Sequence, residues 1–176
     1  MNRLKNQRAY LAGPMDRCPN GGKDWREYIS NILEYNGAIP LNPSKKPIDI
    51  AIENDDSRER RKILKQNQQY DELTKEMKII RNVDLRMVDI SDFIIANLDL
   101  DIFPCGTYEE IFLANRQKKP IIIHMKQGKE NAPDWLFGTI PHDMIFSSWS
   151  EVANYIDYIN YLTNIKHNKR WFFFNL

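Results

Sequence analysis

Three residues combine a reactive side chain with a position beside a predicted strand. Glu110 lies in segment 105–114, Asp84 stands eight positions before Asp92, and Tyr10 lies in the first apolar run. A carboxylate can act as a nucleophile, and a second acid can move a proton. Taken alone, Glu110 is better explained as an acid favoured by the dipole at a helix start. Its chemical role therefore depends on the elements that position it.

Those elements alternate between strands and helices. Apolar runs at 9–14, 38–41, 92–98, 120–125 and 144–146 predict five short strands. Helical patterns fill 25–36, 107–117 and 149–162, and Thr107 is predicted to cap the second of these. This alternation predicts an α/β fold, a parallel sheet of about five strands with helices on both faces. Ligands bind such sheets at the carboxyl ends of the strands, near a switch in strand order.

Segment 49–78 differs in composition, because it is rich in charged residues and has apolar residues along only one face of the predicted helix. We predict one long, mostly solvated helix packed along an edge, followed by a second helix over about 80–90. The segment holds too few apolar residues for a core of its own, so residues 1–176 are predicted to form one domain. The C-terminal part, 148–176, is predicted to be a helix and an aromatic tail, Trp171-Phe172-Phe173-Phe174. The tail is interpreted as a core or interface plug, which favours an oligomer.

Composition limits the classes of partner. The formal net charge is +1, which gives no bulk attraction for nucleic acid or anionic lipid. The two cysteines, Cys18 and Cys105, show no metal-ligand spacing, and a reducing cytoplasm is predicted. No run is long enough to span a bilayer, and the polar N-terminus does not resemble a signal peptide.

The order and spacing of several motifs carry a resemblance. Tyr10-Leu11-Ala12-Gly13-Pro14 opens the chain, Asp84 precedes the central strand, and Cys105-Gly106-Thr107-Tyr108-Glu109-Glu110 follows it. Together they resemble the nucleoside 2-deoxyribosyltransferase family and its deoxynucleotide N-hydrolase relatives. The resemblance implies a flavodoxin-like fold and a homo-oligomer whose subunits complete each other's sites. It implies no metal and no organic cofactor.

The resemblance also implies roles for individual residues. Glu110, four residues after the glycine of Gly-Thr, would attack the anomeric carbon of the sugar, and its neighbour Glu109 would point elsewhere. Asp84 would handle the proton of the nucleobase, and Tyr10 would orient Glu110 by a hydrogen bond. The substrate-binding residues predicted on the same basis are Gly13, Pro14, Asp101, Gly106, Thr107 and Asp134.

The sequence departs from the family pattern at two positions. Pro104 stands where an aspartate often holds the sugar hydroxyls, and Phe112 replaces a glycine. Asp101 is the nearest substitute for the missing acid. If it does not serve, the 5′ end of the sugar is recognised differently, for example as a phosphate near Arg17 and Lys23. Asp134 is the nearest match to a polar residue that a neighbouring subunit supplies in the family.

Three functions follow from these residues. The first is a transferase that moves 2-deoxyribose between nucleobases through a covalent glutamyl intermediate. The second is a hydrolase of a 2′-deoxynucleoside 5′-monophosphate; a separate and weaker variant is a hydrolase of another N-glycoside, such as a nicotinamide nucleotide. The third is a non-catalytic nucleotide-binding module, since a fold does not fix a function.

Overall fold

The computed structural model describes residues 2–46, 48–161 and 170–171. Its centre is a five-stranded parallel sheet in the order β2-β1-β3-β4-β5. The strands are β1 (Arg8–Ala12), β2 (Ile39–Leu41), β3 (Phe93–Leu98), β4 (Ile121–Met125) and β5 (Ile145–Phe146). The predicted parallel α/β sheet of about five strands is therefore confirmed, and the strand order is the flavodoxin-like one.

Helices cover both faces of the sheet. They are α1 (Lys23–Tyr35), α2 (Asp55–Gln66), α3 (Tyr70–Ile90), α4 (Cys105–Arg116), α5 (Asp134–Phe137) and α6 (Trp149–Tyr161). Helices α3 and α4 contact each other and β1, whereas α1 contacts α6, and α2 packs on α3. Within the described residues, no helix is long and apolar enough to cross a membrane.

The core lies where the central strands meet these helices. Strand β3 is apolar on both faces, and Phe93, Ile94, Ile95 and Ala96 are completely buried, as expected for a strand covered on both sides. Trp171 is also buried and packs against Phe93 with a centroid distance of 5.1 Å. This one residue of the aromatic tail is therefore a core residue, while 172–174 and Leu162 lie outside the described residues.

Two predicted boundaries were wrong. Segment 49–78 is not one long helix, because α2 ends at Gln66 and α3 begins at Tyr70. Helix α3 then runs unbroken through the boundary near residue 80, so Asp84 lies inside one 21-residue helix. A turn with Gln68 at φ 56° separates the two helices.

The start of α4 was also placed too late. The helix begins at Cys105 with Pro104 in the capping position, and Thr107 makes no side-chain cap. Thr107 is instead buried within the first turn, and the first turn carries no acid. The helix-dipole explanation for Glu110 loses its basis, since that interaction falls off beyond the first turn.

Candidate active site

A pocket of about 380 Å³ opens at the carboxyl ends of β1 and β3. These two strands are neighbours at the point where the strand order reverses, which is where ligands bind in such sheets. The walls come from the loop after β1, the region after β2, one face of α3 and the start of α4. The pocket-lining side chains that can do acid–base chemistry are Tyr10, Asp16, Glu53, Asp84, Glu109 and Glu110.

Tyr10 and Glu110 are joined by a hydrogen bond. Tyr10 is completely buried on β1, and its hydroxyl donates to Oε1 of Glu110 at 2.7 Å. Burial and the neighbouring negative charge of Glu110 both raise the pKa of Tyr10 well above its ordinary value. The phenol therefore stays protonated and remains a donor. The predicted hydrogen bond between these residues is confirmed.

The environment of Glu110 favours its protonated form. Burial raises the pKa of this carboxyl to about 8, and the nearby charge of Asp84 adds to the effect. The Tyr10 hydroxyl and the Arg26 guanidinium act in the opposite direction. A carboxyl group with such a perturbed pKa, in a pocket and with a specific partner, is a candidate for chemistry.

Asp84 approaches the same pocket from α3. Burial raises its pKa to about 6, and the Lys46 ammonium opposes that increase. Two carboxyls that share a pocket and titrate in different pH ranges can hold a single proton between them at neutral pH. One can then act as a nucleophile while the other acts as an acid.

Glu109 is separated from Glu110 by its position on the helix. Its carboxylate accepts two hydrogen bonds from the Arg81 guanidinium, one of them from Nε at 2.9 Å. Both residues lie on the pocket wall, yet Glu109 is held by α3 rather than by β1. The prediction that adjacent helical positions send the two glutamates in different directions is confirmed.

Comparison with known proteins adds information on the fold. No family model and no curated protein matches the sequence. A 2-deoxyribosyltransferase from Bacillus psychrosaccharolyticus has a similar structure, with a TM-score of 0.60 and 16% identity over 84% of this chain and 91% of that one. The 176-residue chain shares the fold of this deoxyribosyltransferase. The resemblance seen in the sequence is thereby confirmed at the level of the fold.

Two further solved structures agree with it. A Clostridium botulinum CMP N-glycosidase matches with a TM-score of 0.50 and 21% identity, covering 87% of this chain and 99% of that one. A 2-deoxyribosyltransferase from Leishmania mexicana matches with a TM-score of 0.50 and 17% identity, covering 86% and 97%. In each case the similarity spans nearly the whole of the other chain.

The loop after β1 is built by close contacts within this fold. A Cβ on Gly13 would come within 2.7 Å of the Trp25 ring, so only glycine fits that position without a shift. The Arg26 guanidinium is buried beneath the loop and donates to the carbonyl oxygens of Gly13 at 2.7 Å and Leu11 at 3.3 Å. Gly13 and Pro14 thus form part of the pocket wall, and their contact with a substrate stays a prediction.

Gly106 and Thr107 also lie on the pocket wall, at the first turn of α4. A Cβ on Gly106 would meet no atom within 4 Å, so packing within this chain does not explain the glycine. The space beside Gly106 is available to a substrate.

Four other predicted residues lie outside the pocket wall. Asp101 is exposed, and its carboxylate accepts a hydrogen bond from Gln127 at 3.1 Å. Asp134 is exposed at the first position of α5. Arg17 and Lys23 are exposed as well, and neither of them lines the pocket. The structure does not bring these four side chains together with Glu110.

Sequence reasoning missed three charged residues that shape the site. Arg26, Lys46 and Glu53 looked like ordinary surface charges in helical or loop segments, yet all three are buried or nearly so. One signal was available, since Lys46 follows a predicted strand whose carboxyl end faces the site. Cys105 lines the pocket and is exposed. Within residues 2–46, 48–161 and 170–171, no group of three His, Cys, Asp or Glu side chains is arranged to hold a metal ion.

Proposed function

We propose that this protein is a nucleoside 2-deoxyribosyltransferase. It would cleave the N-glycosidic bond of a 2′-deoxynucleoside and transfer the sugar to another nucleobase. The observation that carries the proposal is the hydrogen bond from buried Tyr10 to Glu110, in a pocket that also contains Asp84. The fold, shared with a 2-deoxyribosyltransferase over 84% of the chain, supports it.

Glu110 would supply the nucleophile. Its ionised carboxylate bonds to the anomeric carbon as the carbon–nitrogen bond breaks, and the electron pair of that bond leaves with the base. The Tyr10 hydroxyl stabilises the ionised form and holds one carboxylate oxygen, which leaves the other oxygen to attack. The product of this step is a glutamyl ester of deoxyribose.

Asp84 would supply and recover the proton. In its protonated form it donates to the departing base, which would otherwise leave as an anion. When a second base attacks the anomeric carbon, the ester bond to Glu110 breaks and Asp84 accepts the proton of the incoming base. The competent state is therefore the singly protonated pair with the proton on Asp84 and the charge on Glu110. Since the pKa of Glu110 is about 8 and that of Asp84 about 6, this is the minor tautomer of the free site, and the proton must pass from Glu110 to Asp84 before attack.

A nucleotide hydrolase is the second candidate, and one observation favours it. Asp101, the expected substitute for a sugar-binding aspartate, lies outside the pocket wall, whereas Arg81 lies on it. A guanidinium at the wall could meet a 5′-phosphate in competition with Glu109. The similarity to a CMP N-glycosidase supports this alternative.

Two parallel incubations distinguish the transferase from the nucleotide hydrolase. The protein is mixed with a 2′-deoxynucleoside and a different free base, and in parallel with the corresponding 5′-monophosphate, and products are followed by mass spectrometry. A new nucleoside containing the second base is the expected result. Release of free base and deoxyribose phosphate from the monophosphate alone would replace transfer by hydrolysis. Binding without turnover in both mixtures would support a non-catalytic module.

We also propose that the protein forms a homo-oligomer around this pocket. Phe103 is 85% exposed at the pocket entrance, and Trp135 is 78% exposed in α5. Aromatic side chains are enriched at interfaces between protein chains. Asp134, next to Trp135, would then reach a neighbouring site. Light scattering of wild type and of the Trp135→Ser variant tests the assembly, and a wild-type monomer would contradict it.

A further inference from the structure

A chain of buried charges runs from the pocket wall into the segment between β2 and α3. Lys46 Nζ lies 2.8 Å from Oε2 of Glu53 and 2.9 Å from Oδ1 of Asp84. Glu53 Oε1 lies 3.8 Å from the Arg61 guanidinium, which also pairs with Asp16 at 3.3 Å. We call Asp84, Lys46, Glu53 and Arg61 the ion chain.

The ion chain is deeply placed. The Lys46 side chain has no exposed surface, and those of Arg61 and Glu53 are 4% and 9% exposed. Removing several charges from water is expensive, and apolar residues of similar size often stabilise such a position as well or better. A purely structural explanation is therefore weak for this arrangement. Its two carboxylates, Asp84 and Glu53, both line the pocket.

We propose that Lys46 and Glu53 are positioning residues that act through Asp84. The Lys46 ammonium orients the Asp84 carboxylate toward the pocket and favours its ionised form. Glu53 shares the same ammonium and so weakens its hold on Asp84. This proposal rests on the proposed function, because it concerns the residue that would move the proton of the base.

Lys46 and Glu53 shift the pKa of Asp84 in opposite directions. An opposite charge at hydrogen-bond distance lowers the pKa of a carboxyl by about 1–3 units, whereas a nearby like charge raises it. Removing the Lys46 charge should therefore raise the pH at which Asp84 titrates. Removing the Glu53 charge leaves Lys46 with one partner, so it should lower that pH.

Other groups near Asp84 set the background for this titration. Glu110 on α4 and Tyr10 on β1 approach it in the pocket, and Arg26 on α1 lowers its pKa. Arg81 lies one turn earlier on α3 and is held by Glu109. None of these residues is replaced when Lys46 or Glu53 is substituted. Glu53 also raises the pKa of Glu110, so the titration must be followed at Asp84 itself.

The proposal gives the charged segment a role. Glu53 precedes α2 and Arg61 lies within it, so the segment that looked like a solvated edge supplies half of the ion chain. Asn54 caps α2 through Ser57, with hydrogen bonds of 2.8 and 2.9 Å, and this fixes the residue after Glu53. The wall of the pocket is thereby tied to the helix start.

The decisive measurement is the titration of Asp84 by carboxyl carbon NMR in the free, full-length protein. The variants are Lys46→Met, Lys46→Arg and Glu53→Gln. Lys45→Met and Glu59→Gln are the matched controls, because each makes the same charge change at an exposed ion pair. We expect Lys46→Met to raise the midpoint by about one pH unit or more, and Glu53→Gln to lower it. Lys46→Arg should keep it near the wild-type value.

Equal midpoints in Lys46→Met and Lys45→Met would overturn the proposal. A shift of the same sign in Lys46→Met and Glu53→Gln would overturn it too, because a general loss of packing has no reason to produce opposite signs. If Lys46→Met does not fold, the other two variants still decide the question. The midpoint of the Asp84 titration should fall in Glu53→Gln and stay near the wild-type value in Lys46→Arg. If Glu53→Gln leaves the midpoint where Glu59→Gln does, the proposal fails.

Activity provides the second readout. The acid limb of the kcat/KM profile should move with the NMR midpoint, upward in Lys46→Met and downward in Glu53→Gln. NMR shifts with these signs in a protein that cleaves no N-glycoside would sustain the ion chain and refute the proposed function. Turnover with unshifted NMR midpoints would support the proposed function and refute the positioning role of Lys46 and Glu53.

Discussion

The Tyr10 hydroxyl donates a 2.7 Å hydrogen bond to Oε1 of Glu110, a residue 100 positions later in the chain. Strand β1 carries the donor and helix α4 carries the acceptor; β1 ends and α4 begins beside the switch in strand order. The bond fixes one carboxylate oxygen and partly offsets the burial that raises the pKa of Glu110 to about 8. The carboxyl group remains mostly protonated at neutral pH, and the Tyr10 hydrogen bond lowers the cost of forming the carboxylate that attacks.

Replacing Tyr10 with phenylalanine should remove the hydrogen bond that stabilises the Glu110 carboxylate. A hydrogen bond to a charged group contributes about 1.5–3 kcal/mol, so we expect kcat/KM to fall by about 10- to 100-fold. The pKa of Glu110 should rise further above 8, because the hydrogen bond that stabilises its carboxylate is lost. Kinetics over pH 5–10 measure both effects. A lower rate with an unchanged profile would mean that Tyr10 packs against the substrate without supporting Glu110.

Replacing Glu110 should abolish the chemistry and leave the fold intact. We expect Glu110→Ala and Glu110→Gln to lower kcat by at least about 10³-fold, the scale of loss when a nucleophile is removed. Glu109→Gln is the matched control on the next helical position, since its carboxylate is held by Arg81. In wild type, acid quenching during turnover should trap a protein whose mass is increased by one deoxyribosyl group. Equal losses in Glu109→Gln and Glu110→Gln would contradict the assignment.

The pH dependence of kcat/KM should be bell-shaped. Asp84 and Glu110 have pKa values near 6 and 8, and the competent state holds one proton between them. Below pH 6 both carboxyls are protonated and the nucleophile is lost, whereas above pH 8 both are ionised and the acid is lost. Activity should therefore peak near neutral pH. A profile that rises steadily to pH 10 would remove the need for a protonated partner.

Stability should also depend on pH through Glu110. The pKa of Glu110 in the folded protein lies above its ordinary value of 4.5. Its contribution to the free energy of unfolding is therefore fully present below pH 4.5 and is lost as pH rises through 8. Glu110→Gln removes the buried charge, and at pH 9 it should be more stable than wild type by about 1–4 kcal/mol, less where water in the pocket screens the charge. The difference should shrink toward pH 4.5. Thermal unfolding from pH 4.5 to 9 tests this, and a difference constant with pH would refute it; Glu59→Gln serves as the exposed control.

The central sheet could be predicted because its signals are local. Apolar runs such as 92–98 and 120–125 identify buried strands without reference to the rest of the chain, and their alternation with helices implies parallel pairing. Glu110, Asp84 and Tyr10 could be proposed because the motifs that contain them, in their order along the chain, resemble those of a known family. Their contact depends on the strand order, and the structure supplied that.

Buried charges could not be predicted in the same way. Glu53 lies in the charged segment 49–78, whose composition is that of a solvated surface, and Lys46 lies just before it. Both side chains are buried in the folded chain, where Lys46 pairs with Glu53 and with Asp84 of α3. Asp101 illustrates the reverse error, because its proximity to Gly106 in sequence did not bring it onto the pocket wall. In both cases the missing information is the path of a loop, which depends on tertiary contacts rather than on residue type.

Two glycines on the pocket wall should respond differently to alanine. A Cβ at Gly13 would lie 2.7 Å from the Trp25 ring, whereas a Cβ at Gly106 would meet nothing within 4 Å. We expect Gly13→Ala to lower the free energy of unfolding by about 1–3 kcal/mol, the usual cost of overpacking. Gly106→Ala should keep or slightly raise stability, because alanine favours a helix over glycine. It should nevertheless raise KM if the sugar or base approaches that turn of α4. Denaturant unfolding and steady-state kinetics on both variants test the pair, and an unchanged KM in Gly106→Ala would place the substrate away from the start of α4.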